Sequence, residues 1–360
     1  MKLLALVAIV GTLPFQQPLI TNGTVVPVAS TIERAVAAAA AESAPSWVAW
    51  MTPAVNGRSQ SCCWYSNNDD RWYGCGLEPR AEGAPQARPP QPVGPVPLEG
   101  GTSLLILARV VPTPDGASAA GGNIERVRAF SDDCPLDAGG RTVRMVENVT
   151  PDAGVRFLSD LIAARPAAEG RSSVHNNALS AIAGTAGPAA SAALDTLAGS
   201  AQPAKLRKQA IFWIGQSRGS EGFTKLNAML GRETDADVRR SIIQAISRSA
   251  APEAVPALLA IAKNDADPKN RGEALFWVAQ RAGKSVAAEI SAAAQNDPDT
   301  KVQERAVMAL SQLPKDEGVP LLIGLARTHK TAKVRERAMF WLGQSKDPRA
   351  LKFFEEILMK

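Results

Sequence analysis

The chain has 360 residues, of which 45% are apolar, and this is enough for two packed domains. Its formal charge of +5 is uneven, with −2 over residues 1–150 and +7 over residues 151–360. Bases alternate with acids in the basic half instead of forming a block, which argues against a nucleic-acid partner.

The sequence offers little for catalysis. Only two histidines occur, far apart, and there is no Gly-x-Ser-x-Gly, Walker, His-Glu-x-x-His or dinucleotide-binding glycine pattern. The sequence therefore predicts no catalytic residues, no metal and no cofactor.

An apolar run at the N-terminus indicates export. Residues 3–13 are uncharged and follow a single basic residue, Lys2. The run has the length of a signal peptide and is too short to cross a bilayer, so residues 1–30 are predicted to be an export signal. The small residues 28–30 would suit cleavage but lie far from the run, and an uncleaved anchor, which would add a membrane contact, is the alternative. Export places the protein in the periplasm or outside the cell.

A small β module follows. Residues 31–46 are predicted to form a short helix or linker, and residues 47–150 a mostly β module. Four runs in this module are rich in β-forming residues and bounded by Gly, Pro or Asp, which is typical of short strands; they cover residues 47–55, 104–111, 124–130 and 141–149. The Pro/Gly-rich segment 83–101 is typical of an extended loop.

All the cysteines lie in this module, at Cys62, Cys63, Cys75 and Cys134. An even number of cysteines in an exported chain predicts two structural disulfides. A bond between the adjacent Cys62 and Cys63 would be strained, which leaves two favoured pairings. The alternative of a four-thiolate metal site normally shows Cys-x2-Cys pairs, which are absent here.

The stretch SCCWYSNNDDRWYGC, residues 61–75, predicts a hairpin with a polar tip. A disulfide from Cys62 or Cys63 to Cys75 is predicted to close its base. We interpret the aromatic residues beside the cysteines as packing, since small exported domains have little core. An aromatic contact loop for a partner or a glycan is the alternative.

From residue 151 the sequence repeats every 32 residues. Similar nine-residue segments begin at residues 174, 206, 238, 270, 302 and 334. A second apolar series keeps the same step, at Ile162, Leu194, Leu226, Leu258, Ile290, Leu322 and Phe354. Two helices per repeat cannot bury their apolar faces alone, so neighbouring repeats are predicted to stack as an α-solenoid over residues 151–360.

The repeat consists of an Asp-containing loop followed by Val-Arg-x-x-Ala-x-x-Ala-Leu. It resembles the HEAT-repeat family, in the short form of the phycobilisome-lyase-like repeats. The resemblance implies that the second helix of each repeat lies on a concave side and that the array serves as a binding scaffold. It also implies a ladder between loop Asp and helix Arg residues, which here would be Asp235, Asp237, Asp267, Asp297 and Asp299 with Arg207, Arg239, Arg271 and Arg335. His175 and Gln303 interrupt the Arg column. HEAT-type iron hydroxylases need His-Glu pairs, which this chain lacks.

A Phe-Trp pair recurs in every second repeat, 64 residues apart. On a helical wheel the tryptophans fall at the edge of the apolar stripe, where the intervening repeats carry Ala. This alternation of large and small side chains predicts a structural packing role for Trp213, Trp277 and Trp341.

The phenylalanines fall on the opposite side of the wheel, together with a row of glutamines. This side is predicted to be the concave, partner-binding face. Its residues are Phe212, Phe276, Phe340, Gln216, Gln280, Gln312, Gln344 and Met308. Burial of the phenylalanines against neighbouring helices is the alternative.

These patterns predict an exported, non-enzymatic scaffold or adaptor that binds a protein or peptide and no nucleic acid. The alternative is an envelope enzyme, acting either as a thiol-redox protein through Cys62 and Cys63 or as a phycobilin lyase.

Overall fold

A computed structural model describes residues 19–57, 62, 64–66, 71–73, 76–78, 101–113, 123–165 and 174–359. The chain divides into two compact units, the first ending at Ala190 and the second beginning at Ser191. Among the described residues, no helix is long and apolar enough to cross a membrane.

The N-terminal unit combines short strands with three helices. Its strands are β1 (Ile20–Thr21), β2 (Thr24–Val28), β3 (Ser46–Pro53), β4 (Trp64–Ser66), β5 (Arg71–Tyr73), β6 (Ser103–Val110), β7 (Ile124–Ser131), β8 (Leu136–Asp137) and β9 (Thr142–Val146). Its helices are α1 (Ile32–Ala40), α2 (Pro151–Ala163) and α3 (Val174–Gly184). The predicted strand-rich module is confirmed.

Five strands form one mixed sheet in the order β2-β9-β3-β6-β7. The pairs β2–β9 and β9–β3 are parallel, and the pairs β3–β6 and β6–β7 are antiparallel. Every residue of the interior strand β6, which lies between β3 and β7, is buried. A strand with both faces covered has no polar side, which explains why SLLILARV is almost continuously apolar.

Different residues pack against the two faces of this sheet. On one face, Trp47 of β3 and Leu105 of β6 belong to a buried cluster with Leu136 and Cys134. On the other face, Trp50 makes an edge-to-face contact with Phe157 of α2, at 5.7 Å between ring centroids. The helices therefore complete the core of the N-terminal unit.

The boundary between the units differs from the predicted one near residue 151. Helices α2 and α3 carry the helical spacing of the repeats, yet they lie in the N-terminal unit, and α3 packs against β7. Residues 31–46, predicted as a helix or linker, contain α1, which is capped by Thr31 and buries Ile32, Val36 and Ala39. An amphipathic helix packed in this way is part of the fold.

The predicted export segment 1–30 overlaps two strands. Strand β1 pairs with β8 and β2 pairs with β9. Cleavage after residue 30 would remove both strands from these sheets. The apolar run itself lies outside the described residues, and its role in export stays a prediction.

The cysteine stretch forms the predicted hairpin in part, since β4 pairs antiparallel with β5. One of the two possible closures of its base is wrong: Cys62 is bonded to Cys134, with 5.5 Å between their Cα atoms, and not to Cys75. The disulfide joins a residue close before β4 to a buried cysteine of the core cluster. Cys63, Cys75 and the loop 83–100 lie outside the described residues.

Near the disulfide-bonded core cluster, a buried ionic network surrounds Glu78. Arg109 donates to both carboxylate oxygens of Glu78, at 2.9 and 2.7 Å, and the indole of Trp47 donates at 2.8 Å. Burial alone would raise the pKa of Glu78, but the hydrogen bonds and the positive charge of Arg109 lower it below its ordinary value. The ionised form is therefore stabilised by folding.

The C-terminal unit is helical. Its helices are α4 (Pro188–Ala198, which crosses the boundary), α5 (Ala204–Ser217), α6 (Gly219–Leu230), α7 (Ala236–Arg248), α8 (Ala254–Asn264), α9 (Pro268–Ala282), α10 (Ala287–Asn296), α11 (Thr300–Ser311), α12 (Lys315–Thr328), α13 (Ala332–Ser345) and α14 (Pro348–Leu358). Helices α5, α7, α9, α11 and α13 contact one another in that order. This row contains the Val-Arg helices of the sequence repeat.

Helix starts and buried positions follow the 32-residue step. Asp235, Asp267 and Asp299 cap α7, α9 and α11 by accepting backbone N–H groups of the first turn. The second apolar series is buried as predicted from Ile162 to Leu322. Its last member is different, because α14 buries Phe353 and leaves Phe354 half-buried.

The ladder between repeats exists, but most of the predicted acids are not part of it. Three of the four predicted Arg residues reach an acid 26 residues later, in the pairs Arg207–Glu233, Arg239–Asp265 and Arg271–Asp297. The fourth, Arg335, donates instead to the backbone carbonyls of His329 and Lys330. Of the predicted acids only Asp297 belongs to the ladder. Asp235, Asp267 and Asp299 cap helices, and Asp237 pairs with Arg240. In the fourth pair of positions Gln303 replaces Arg and His329 replaces the acid.

Candidate functional site

The candidate site is one side of the helix row α5, α7, α9, α11 and α13, which we call the Phe-Trp-Gln face. Because these helices are neighbours, equivalent positions on them follow one another across the repeats. The face comprises Phe212, Trp213, Gln216, Gln244, Arg248, Phe276, Trp277, Gln280, Met308, Gln312, Phe340, Trp341 and Gln344.

The phenylalanines of this face are partly accessible. Phe340 is 51% exposed, whereas Phe212 and Phe276 are half-buried. Met308 is also half-buried, and the four predicted glutamines are exposed. Neither full exposure nor full burial therefore describes the three phenylalanines.

The tryptophans belong to the same surface. Each Trp ring meets the preceding Phe ring edge to face, with centroids 5.2, 5.0 and 5.2 Å apart in α5, α9 and α13. All three tryptophans are half-buried, while Ala181, Ala245 and Ala309 at the same repeat position are fully buried. The indoles thus lie between the core and solvent, and their packing role stays a prediction.

Arg248 of α7 links two aromatic pairs. Its guanidinium carbon lies 5.0 Å from the centroid of the Phe212 ring and 5.9 Å from that of Trp277. A guanidinium at these distances is attracted by the π faces. The sequence shows Arg248 only as a break in the glutamine row, and its basic side chain between two aromatic repeats is the signal that could have revealed the contact.

The hydrogen bonds of the indoles differ between repeats. In α9 the Nε1 of Trp277 donates to Glu273 at 2.7 Å. In α13 the residue equivalent to Glu273 is Arg337, which cannot accept a hydrogen bond. The Nε1 of Trp341 is shielded from solvent and has no hydrogen-bond partner within the described part of the chain.

A cavity of about 340 Å³ lies beside Trp341, between α11 and α13. Its lining consists of Lys301, Glu304, Arg305, Met308, Arg337 and Trp341. Arg337 pairs with Glu304 at 3.3 Å. Neither Lys301 nor Arg305 forms an ion pair with any residue that the structure describes, so the cavity has a net positive charge.

Two chemical alternatives, a metal site and a redox-active cysteine pair, can be compared with the structure. Within the described ranges, no group of three or more His, Cys, Asp or Glu residues is placed to hold a metal ion. The hypothesis of a redox-active Cys62–Cys63 pair is not supported, because Cys62 is bonded to Cys134.

Comparison with known proteins identifies the helical repeats. Residues 190–279 and 287–360 match the family model of HEAT repeats. A search of curated proteins gave no match.

Three solved structures are similar at low identity. The CpcE–CpcF complex of phycocyanin lyase from Nostoc sp. PCC7120 is 21% identical, with coverage of 46% of this chain and 69% of that chain and a TM-score of 0.32. Human deoxyhypusine hydroxylase in complex with glycerol is 16% identical, with coverage of 56% and 77% and a TM-score of 0.31. A computationally designed self-assembling cyclic homooligomer is 16% identical, with coverage of 59% and 67% and a TM-score of 0.13. All three TM-scores are below 0.5, so these likenesses indicate nothing about function.

The family match covers the helices whose sequences repeat every 32 residues and whose Arg-acid ladder joins successive repeats. The helices of residues 190–360 therefore form HEAT-type repeats, which are similar to those of the HEAT-repeat family.

Proposed function

We propose that this protein is an exported, non-enzymatic scaffold that binds a protein or peptide through the Phe-Trp-Gln face. The observation that carries the proposal is the set of accessible aromatic pairs on α5, α9 and α13, together with the exposed glutamines along the same row of helices. Aromatic side chains at the centre of a surface with a polar surround are typical of protein-interaction sites.

The fold supports the proposal, since HEAT repeats generally mediate protein interactions. The resemblance further implies that the Val-Arg helices line a concave side, where a ligand could touch several repeats at once. Glutamine side chains both donate and accept hydrogen bonds, so they suit the main chain of a bound peptide.

Export is supported by two independent features. The apolar run at residues 3–13 has the length of a signal peptide, and the Cys62–Cys134 disulfide is a bond that persists in oxidising compartments. We therefore place the protein in the periplasm or outside the cell.

The proposal is tested by co-purification from the cell envelope. The triple variant Phe212→Ser, Phe276→Ser and Phe340→Ser removes the apolar anchors of the face. We expect it to lose the partner recovered with the unaltered protein while its circular dichroism spectrum and thermal midpoint show intact folding.

A matched triple variant controls for the loss of apolar side chains. Phe223→Ser, Met229→Ser and Leu259→Ser change three half-buried apolar residues of α6 and α8, on the other helix row. This control should retain the partner. Equal recovery with both triple variants would contradict the assignment of binding to the Phe-Trp-Gln face.

A further inference from the structure

The cavity between α11 and α13 has more positive charge than the chain itself neutralises. Lys301 and Arg305 lie one helical turn apart on α11, and Arg337 projects from α13 to the same cavity. The single acid of the lining, Glu304, is paired with Arg337. Two cations are therefore left for a ligand that carries negative charge.

A comparison of two repeats indicates the same charge preference. In α9, Glu273 accepts a hydrogen bond from the indole of Trp277, one turn away. In α13, Arg337 stands in place of that acid, and the indole of Trp341 has no acceptor within the described residues. The exchange of Glu273 for Arg337 replaces an acid by a cation at this repeat position, and a carboxylate supplied from outside would restore a negative charge beside Trp341.

The same face carries apolar side chains and amides on the helices that line the cavity and on the neighbouring α9. Met308 lines the cavity and Phe340, which is 51% exposed, precedes Trp341. The side chains of Gln280 and Gln312 are hydrogen-bonded to each other at 3.1 Å. A ligand that spans these groups needs an acid, an apolar side chain and polar main-chain groups, and this combination is a peptide.

We infer that the partner presents an acidic peptide segment whose Asp or Glu side chain enters the cavity beside Trp341 while a neighbouring apolar side chain packs on Phe340. This inference rests on the proposed function and names its ligand class. The acids Glu273, Glu304 and Glu336, which alternate with the bases of the face, disfavour a continuous polyanion such as a nucleic acid.

The first experiment identifies the preferred ligand chemistry while the partner itself is still unidentified. A phage-displayed library of random dodecapeptides is selected on the full protein. We expect the enriched peptides to contain Asp or Glu within a few residues of Phe, Trp, Leu or Met, well above the frequency in the unselected library. Enrichment of peptides without acids would overturn the inference and leave peptide binding on the face standing, whereas no enrichment at all would overturn both.

The second experiment assigns the acid to the cavity. The best enriched peptide and its counterpart with Gln in place of each acid are titrated by fluorescence anisotropy. The double variant Lys301→Gln and Arg305→Gln should weaken binding of the acidic peptide roughly tenfold and leave the Gln counterpart unaffected. A charge-matched control, Arg232→Gln and Lys263→Gln, changes two exposed cations away from the face and should have no effect.

The variant Arg337→Glu provides an independent test. It places an acid one turn before Trp341, as in α9, so it should satisfy the indole internally and repel an acidic ligand. We expect loss of binding of the acidic peptide with unchanged thermal stability. Undiminished binding by this variant, or equal affinity of the unaltered protein for the acidic peptide and a single-stranded oligonucleotide, would overturn the inference.

Discussion

At the scale of single residues, a helical wheel places the tryptophans at the edge of the buried core. The wheel does not decide whether such a side chain faces the core or the solvent. Their shared place on the helical wheel predicts the margin of the core for Trp213, Trp277 and Trp341, and all three are half-buried. Whether a marginal side chain turns toward core or solvent depends on the neighbouring helix, which the wheel does not contain.

The first prediction concerns Trp277. Trp277→Ala removes a half-buried ring and its hydrogen bond to Glu273. We expect the free energy of unfolding to fall by about 1–2 kcal/mol, because only part of the ring leaves water on folding. Urea denaturation measures the change, and Ile246→Ala, at a fully buried position, should cost more, roughly 2–5 kcal/mol. A loss of about 4 kcal/mol for Trp277→Ala would show that the indole is a core element.

A second prediction concerns Arg248 and its aromatic contacts. Arg248 is an exposed residue, and its guanidinium lies over the rings of Phe212 and Trp277. A double-mutant cycle of Arg248→Gln with Phe212→Leu should give a favourable coupling of about 0.5–1 kcal/mol. Additive effects of the two substitutions would contradict a cation–π contact between these side chains.

At the scale of helices and loops, the period of the sequence predicted where helices occur better than what each polar residue does. The loop acids of one repeat, such as Asp265 and Asp267, are two residues apart, and both precede a helix. The structure uses the second as the cap and the first as the ladder acid. Spacing alone cannot separate two carboxylates so close in sequence, because both are near the N-terminus of the same helix.

Close helix packing yields a third prediction, with a matched pair of glycines. A Cβ at Gly222 of α6 would lie 2.4 Å from the carbonyl oxygen of Ile214, whereas a Cβ at Gly324 of α12 would meet nothing within 4 Å. Gly222→Ala should therefore destabilise the protein by more than about 1 kcal/mol. Gly324→Ala should stabilise it by about 0.5–1 kcal/mol, because Ala restricts the unfolded chain. Thermal denaturation of both variants measures the difference, and equal midpoints would contradict the close approach of α6 to α5.

The fourth prediction concerns the position of the ladder at which both the Arg and the acid are replaced. Gln303 and His329 stand where other repeats have Arg and an acid, and each has a buried polar atom without a hydrogen bond in the described structure, Oε1 and Nε2 respectively. Either Gln303→Arg or His329→Asp alone introduces an unpaired charge in a buried place, which is unfavourable. The double variant should be more stable than the sum of the single changes by about 2 kcal/mol. Chemical denaturation of the three variants tests this, and additive changes in the free energy of unfolding would show that the two side chains do not form an ion pair.

At the scale of the whole molecule, acid sensitivity should come from both units. The pKa of Glu78 is lowered in the N-terminal unit, and the pKa of Asp265 is lowered in the C-terminal unit. Burial alone would raise the pKa of Asp265, but hydrogen bonds from Arg239 and Asn270 lower it below its ordinary value. Arg349 and the backbone lower the pKa of Asp347 to about 2. A carboxylate with a lowered pKa stabilises the fold above its unfolded-state pKa, and this stabilisation is lost as pH falls through the folded-state value.

The fifth prediction follows from these shifts. Between pH 7 and about pH 5 these acids stay ionised in the folded and the unfolded chain, so we expect them to change the free energy of unfolding little. Below about pH 4 we expect the free energy of unfolding to decrease. Glu78→Gln should lower stability at pH 7 by about 2 kcal/mol, because buried Arg109 loses its bidentate carboxylate and keeps only the exposed Glu125, and should reduce the slope at acidic pH. Urea denaturation at a series of pH values measures both effects, and an unchanged slope in the variant would contradict the role of Glu78.

The division of the chain could be predicted from the sequence only in part. The 32-residue step continues back to Val174, so the first helices look like repeats. Their apolar faces nevertheless pack with the sheet, where α2 supplies Phe157 against Trp50 and α3 meets β7. The apolar face of an amphipathic helix does not specify which element will bury it, since a helix or a sheet can do so equally well. The family model likewise begins at residue 190.

The recurrence of the Phe-Trp pair in every second repeat also fixes a distance. Neighbouring helices in such stacks lie roughly 10 Å apart, so successive pairs are separated by about 20 Å. An extended chain advances about 3.3 Å per residue, so about six residues of a ligand span two pairs. A partner with apolar side chains at that interval could engage two or three pairs together, and each contact would raise the effective concentration for the next. The alternation of aromatic and small residues would then select ligands by the interval between their apolar side chains as well as by their chemistry.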